Sequence, residues 1–264
     1  MCYTFYVKIL LTNDDGFDAP GLQALVRELE AKHKCVVAAP ASEKSASSHS
    51  ISLGQKLRIE EIAPRHFAIH GTPADCVKLA LSEFKDFQPD LLISGINPGP
   101  NTGVSVYYSG TISAAREGLI NRVPSMAVSI RSRTPSDFSF AASFCRRLIE
   151  GYEAGVFPRD RFLNVNIPDL PESEIRGVKI ARQAPSRFVE EFIVEDSANH
   201  HRTYRLAGEI YVFDPDGTTD EEVVSQGFIA ITPLHLDLTC YATFPTLEKW
   251  VEDKKKTWQN PKNI

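Results

Sequence analysis

Two adjacent carboxylates, Asp14 and Asp15, close the run Lys8–Gly16 (K-I-L-L-T-N-D-D-G) and are the first residues of this 264-residue chain with clear chemical potential. Neighbours on a regular strand point to opposite faces, so the two acids converge on one point only where the chain turns. Gly16 makes that turn easy. The same residues would also serve as a plain turn and helix N-cap. Two further apolar runs end in oxygen-bearing side chains: Ser42 and Ser45 after Val36–Ala39, and Asn97 and Asn101 after Leu91–Ile93. A pocket built from these is acidic and rich in hydroxyl and amide oxygen. With no C-x-x-C and no paired histidines beside it, such a donor set disfavours zinc and copper and suits Mg²⁺ or Mn²⁺. Ser109-Gly110-Thr111 stands at the start of a helical pattern. Free N–H groups, hydroxyls and the positive end of the helix dipole there suit an anion, and an ordinary cap has the same composition. His49, four residues after Ser45, could approach the pocket as a proton donor or as an orienter.

These residues need a scaffold that brings strand ends together. Ile9-Leu10-Leu11, Val36–Ala39, Leu91–Ile93 and Pro124–Ile130 are short unbroken apolar runs, which mark strands buried on both faces of a parallel sheet. Helical spacing recurs between them at Pro20–Glu30, from Pro73 to Leu81, from Ile112 to Ile120 and over Asp137–Tyr152. In such a fold the carboxyl ends of the strands share one edge, where open α/β sheets bind ligands. Leu57–Ile62 and His66–Ile69 read as a small hairpin, and Ser94–Gly103 as too rich in Gly and Pro for helix or strand. Beyond Phe162 the pattern turns to strands: Leu163–Ile167, Val178–Ala181, Phe188–Val194, Tyr204–Phe213 and Phe228–Pro233. Thr246–Lys255 is a last helix and Trp258–Ile264 a tail. The expected class is α/β, a Rossmann-like, mostly parallel sheet with helices on both faces and a β-rich C-terminal appendage. Residues 1–160 form the metal- and phosphate-binding core, 161–243 the appendage with oligomerisation arms, and 244–264 the C-terminal helix and tail.

Several function classes are excluded on chemistry. Net charge is −5, opposite to the clustered basic footprint of a nucleic-acid binder. No apolar run approaches the ~20 residues of a membrane span, and Met1–Leu11 lacks the basic start of a signal peptide. The five scattered cysteines, with Cys35, Cys76 and Cys145 in apolar contexts, suit buried thiols in a reducing, cytoplasmic compartment. Neither G-x-G-x-x-G, nor a P-loop, nor a G-x-S-x-G elbow occurs.

The motifs taken together resemble SurE, the survival-protein family of metal-dependent 5′/3′-nucleotidases. They are T-N-D-D-G at Thr12–Gly16, A-P-G at Ala19–Gly21, A-P at Ala39-Pro40 with S-x-x-x-H-S at Ser45–Ser50, G-T-P-A-D-C at Gly71–Cys76, S-G-I-N-x-G-x-N at Ser94–Asn101 and Y-S-G-T at Tyr108–Thr111. T-P-L-H-L-D-L-T at Thr232–Thr239 matches the family's late segment, and Lys44 stands where an arginine is common. The resemblance implies one Mg²⁺ or Mn²⁺ per subunit on Asp14, Asp15, Ser45 and Asn97. It implies phosphate contacts from Asn101, Ser109, Gly110 and Thr111, catalysis by Asp14 and Asp15, a nucleotide substrate and a homodimer or homotetramer. A non-catalytic nucleotide-sensing module using the same pocket is the reading from another class.

Overall fold

The structure is a computed structural model and describes residues 6–198 and 201–258. The elements run β1 (Lys8–Thr12), α1 (Pro20–Leu29), β2 (Lys34–Pro40), β3 (Ile59–Ala63), β4 (His66–Ile69), α2 (Pro73–Glu83), β5 (Leu91–Pro98), α3 (Ser105–Tyr108), α4 (Gly110–Ile120), β6 (Ser125–Ile130), α5 (Ser139–Glu153), β7 (Phe162–Ile167), β8 (Val178–Ile180), β9 (Ser186–Ala198), β10 (His201–Val212), α6 (Asp220–Ser225), β11 (Ile229–Leu234) and α7 (Phe244–Trp258). Nine strands make one sheet in the order β3-β4-β2-β1-β5-β6-β7-β11-β8. From β4 to β7 the neighbours are parallel. β3 and β11 enter antiparallel.

Period-two alternation explains the layers. Ile9 and Leu11 face a core with Leu22, Leu25 and Leu29 of α1 and Ala141, Phe144 and Cys145 of α5. Leu10 faces the other core, with Val77 of α2 and Ile112, Ala115 and Leu119 of α4. Strand order reverses at β1: the chain moves outward to β2, then returns to place β5 on β1's other side. A crevice opens outside the carboxyl ends of strands at such a switch point. Asp14 and Asp15 follow β1, and Asn97 lies at the end of β5.

β5 differs from expectation, because it continues through Ser94-Gly95-Ile96-Asn97 to Pro98. Its pairing with β6 slips between Ser94 and Asn97, and Gly95, at φ +140°, supplies the backbone freedom that this bulge needs. Within the expected β-rich appendage, β9 and β10 form a separate antiparallel pair, and β7, β8 and β11 extend the central sheet. β7, the first strand past residue 160, pairs in parallel with β6 of the same sheet. The first compact unit is Met1–Leu234 and the second His235–Ile264. The second contains α7, and the tail expected beyond it, 259–264, lies outside the described residues.

The A-P-G motif has a packing cause. Pro20 opens α1, and a Cβ on Gly21 would stand 2.0 Å from the Ile96 carbonyl oxygen of β5. On an exposed helix, Gly→Ala gains about 1 kcal/mol; here the clash with backbone dominates, at about 2 kcal/mol or more. Gly21→Ala should therefore lower the melting temperature by about 5 °C or more, read by thermal denaturation. An unchanged or raised melting temperature would refute the close packing.

Candidate active site

The turn after β1 is closed by its own asparagine. Asn13 Nδ2 donates to the Gly16 carbonyl at 2.8 Å and its Oδ1 accepts from the Gly16 N–H at 3.3 Å. Gly16 takes φ +111°, a conformation that side-chain-bearing residues rarely adopt. The turn points Asp14 inward, where it is only 4% exposed. There it meets the first turn of α4. Thr111 Oγ1 donates to Asp14 Oδ1, and the backbone N–H groups of Thr111, Asp14 and Gly110 also stabilise the carboxylate. A Cβ on Gly110 would lie 2.7 Å from the Asp14 Cβ, 2.8 Å from its Oδ2 and 3.0 Å from the Ser47 Oγ. Only glycine lets helix and acid approach this closely. Burial pushes the Asp14 carboxyl above its ordinary range, and these bonds pull against that shift.

Asp15 is placed differently. Its Oδ2 is buried and has no hydrogen-bond partner. Burial first, then the negative charges of Asp14 and Glu43, push its pKa up to about 7. A buried carboxylate oxygen with no protein donor, facing two other acids, is a poor arrangement for a free carboxylate and a good one for a cation ligand. Among the described residues no cluster of three or more His, Cys, Asp and Glu side chains could hold a metal. A cation here must therefore complete its shell with hydroxyl, amide or water oxygen, as hard divalent ions do.

The polar loop after β2 lies over this turn. Lys44 N–H donates to the Asp14 carbonyl at 2.7 Å, and a Cβ on Gly16 would touch the backbone of Ser42 and Glu43 at 3.4 Å. Ala46 and Ser48 hold positive φ angles of 55° and 52°, a strain that must be offset by surrounding contacts. Two such contacts are the bonds from Ser48 N–H to the Tyr108 carbonyl and from Ser48 Oγ to the Tyr107 carbonyl. A third is His49, whose Nε2 lies 2.9 Å from Oε2 of Glu117 on α4. Glu117 is 2% exposed and also receives Lys78 Nζ and Asn121 Nδ2, each at 2.8 Å. Burial pushes the Glu117 carboxyl up, and the bonds from His49, Lys78 and Asn121 outweigh it, leaving it below the usual range.

A model of the family described as "Survival protein SurE" matches residues 9–190. The "5'-nucleotidase SurE" of Heliobacterium modesticaldum is 42% identical over 250 residues, covering 93% of this chain and 92% of that protein. The chain belongs to the SurE family. The protein of the same description from Moorella thermoacetica is 45% identical over 239 residues, 89% of this chain and 92% of its own. The crystal structure of the SurE protein from Aquifex aeolicus matches with a TM-score of 0.82 at 36% identity, covering 93% of this chain and 99% of that one. The likeness thus extends well past the first half of the chain, where the sequence motifs are densest.

Within this SurE fold the expected site residues divide into groups. Asp14, Gly110 and Thr111 meet directly. Ser109 Oγ accepts from the Ile112 N–H at 3.1 Å and so caps α4. Ser45 is exposed, and its Oγ donates to Glu43 Oε1 at 2.6 Å. Asn97 Nδ2 donates to the Gly99 carbonyl at 2.6 Å. No hydrogen bond among the described residues joins Ser45 or Asn97 to the acid pair. Asn101 is buried, and its Nδ2 donates to Ser129 Oγ at 2.9 Å. His49 touches Glu117 and none of the acids at the turn. Sequence reasoning missed Glu43, which acts on Asp15 through charge. It also missed Ser47, whose buried Oγ has no partner and faces Gly110. Their only signal was membership of a long polar loop.

The raised pKa of Asp15 carries a stability consequence. Without a cation the native chain keeps this proton to about pH 7, whereas an unfolded aspartate releases it near pH 4. Native stability should therefore fall as pH rises from about 4 to about 7 and stay lowered above that. Asp15→Asn removes this titration. In chelator the variant should melt several degrees above wild type at pH 8 and together with it near pH 4. A variant less stable than wild type at pH 8 would contradict the assignment.

Proposed function

We propose that this chain is a divalent-metal-dependent phosphomonoesterase that hydrolyses nucleoside 5′-monophosphates, with 3′-monophosphates as a second substrate class, to nucleoside and phosphate. One observation carries the reading: Asp15 holds a partnerless buried oxygen beside Asp14 at a helix N-terminus, at the switch point of the sheet. The relatives' name, 5'-nucleotidase, supplies the substrate class.

Asp14, Asp15, Ser45 and Asn97 are the residues proposed to hold Mg²⁺ or Mn²⁺, one per subunit. When bound, the cation offsets phosphoryl charge and lowers the pKa of water. The chain's own groups do the remaining work. Ser109 Oγ accepts a bond within the helix and keeps its O–H free to donate to a phosphate oxygen. Asn101 Nδ2 uses one hydrogen on Ser129 and retains a second. Gly110 and Thr111 bring the positive end of α4 to the same point. Asp14 orients the attacking water and takes its proton. His49 has a supporting role through Glu117, since that bond holds the loop carrying Ser45. An acid pair next to phosphate donors favours hydrolysis over sensing, because sensing needs no cation.

The reading extends to assembly and compartment. The β9–β10 pair leaves Val189, Phe192, Val194, Tyr204, Leu206 and Tyr211 exposed, more apolar surface than an isolated two-stranded ribbon keeps in water without a partner. A second copy of this chain is the proposed partner, giving a homodimer or homotetramer through the arm and C-terminal elements. Cys35, Cys76 and Cys145 are buried free thiols, in keeping with the cytoplasm. No helix among the described residues is long and apolar enough to cross a membrane.

Phosphate release from a nucleoside monophosphate should require Mg²⁺ or Mn²⁺ and stop in chelator. Asp14→Asn and Asp15→Asn should stay folded and lose about 10³-fold in kcat, and Thr111→Ala should lower kcat about tenfold. Chelator-resistant turnover, or near-normal rates in both acid variants, would overturn the reading. Light scattering should show a dimer or larger at micromolar concentration, and a monomer there would overturn the assembly.

A further inference from the structure

The most deeply buried acid among the described residues lies outside the turn that holds Asp14 and Asp15. Asp220, the first residue of α6, is fully buried, and no Lys or Arg pairs with it among the described residues. Its partners are backbone N–H groups. Both of its oxygens face the Gly103 N–H, at 3.1 and 3.2 Å, and Oδ1 also accepts from Ala184 and Glu221, each at 2.9 Å. Burial pushes the carboxyl up to about 6, so the group is charged at neutral pH. A buried charge held only by main-chain donors is costly. The small apolar cluster of Ala181, Val223, Val224 and Ala230 is built by other residues of the same region.

What Asp220 holds is the segment between two of the candidate phosphate contacts, Asn101 and Ser109. Gly103 sits at φ +50°, and a Cβ there would be 2.3 Å from Ser186 Oγ. Its carbonyl accepts from Gln183 Nε2 at 2.7 Å, and the next N–H, of Val104, donates to Ser186 Oγ at 2.8 Å. Asn101, just before, is anchored separately by Asn164 Nδ2, at 2.7 Å from its carbonyl, and by Asn166 Oδ1, which accepts from its N–H at 2.8 Å. Seven residues after Gly103 the chain reaches Gly110, packed on Asp14. The Asp220 carboxylate accepts from the Ala184 N–H, two residues before β9 begins at Ser186, and so also holds the root of the arm.

We propose that Asp220 is a positioning residue for phosphate binding: it locks the Thr102–Val104 turn so that Ser109 and the start of α4 stand at a set place relative to Asn101. The role rests on the hydrolase reading above. It predicts a loss in phosphate binding that leaves the acid pair's metal affinity alone. Asp220→Ala should raise KM for a nucleoside monophosphate and Ki for inorganic phosphate together, about tenfold, as expected for the loss of a charged hydrogen-bond acceptor. Its kcat should change less than threefold and its Mn²⁺ affinity less than twofold. Asp220→Asn keeps one acceptor oxygen and should recover most of the loss. Gln183→Ala, which frees the other side of Gly103, should shift KM and phosphate Ki in the same direction and serves should Asp220→Ala fail to fold. Unchanged KM and Ki in folded variants with an active wild type would overturn the positioning role alone, as would a parallel loss of Mn²⁺ affinity. A wild-type chain that releases no phosphate would overturn the hydrolase reading and this role with it.

Discussion

The structure depends on one contact, the buried carboxylate of Asp14 against the first turn of α4. It joins the end of β1 to a helix almost 100 residues later, through the Thr111 hydroxyl and the N–H groups around Gly110. A carboxylate at a helix N-terminus is favoured by the dipole and by unpaired donors. The bonds available there offset part of the cost of burying Asp14. They leave nothing for Asp15, whose oxygen finds no donor. The asymmetry between two adjacent acids is thus a consequence of geometry. One is satisfied by the fold, and the other is left for something outside it.

The elements around this contact serve to keep it in place. Glu117, two turns along α4, receives His49 from the loop over the turn and Lys78 from α2. A single buried acid therefore ties three segments together. The β7 asparagines Asn164 and Asn166 hold the backbone of Asn101, and Asp220 holds Gly103. Each site segment is fixed by a side chain from a different part of the chain. Preorganisation of this kind is where most of the acceleration of phosphate-ester hydrolysis must come from.

Much of this was legible in the sequence. Short apolar runs gave the parallel strands, because strands covered on both faces have no polar alternation. N-D-D-G and Y-S-G-T marked the strand end and the helix start that hold Asp14 and Thr111, but the direct bond between the two side chains emerges only from the fold. The sequence was less informative where local composition and tertiary pairing disagree. Ser94–Pro98 looked too rich in Gly and Pro for a strand, yet β5 runs through it with a bulge at Gly95. Leu163–Ile167 and Phe228–Pro233 carry no mark of which sheet they join; both extend the central sheet, and the β9–β10 pair stands apart as the antiparallel appendage. Asp220 reads as an ordinary first-turn acid behind the Thr219 cap. Only the fold brings it to Gly103, 117 positions earlier.

The central claim is that the acid pair at the β1 turn is where cation and phosphate meet. The most direct measurement is an anomalous difference map from crystals grown with Mn²⁺ and inorganic phosphate. The account predicts one Mn²⁺ peak per subunit within about 2.5 Å of a carboxylate oxygen of both Asp14 and Asp15, with phosphate bridging it to Ser109 and Asn101. A peak elsewhere in the molecule, or phosphate bound away from the start of α4, would contradict it.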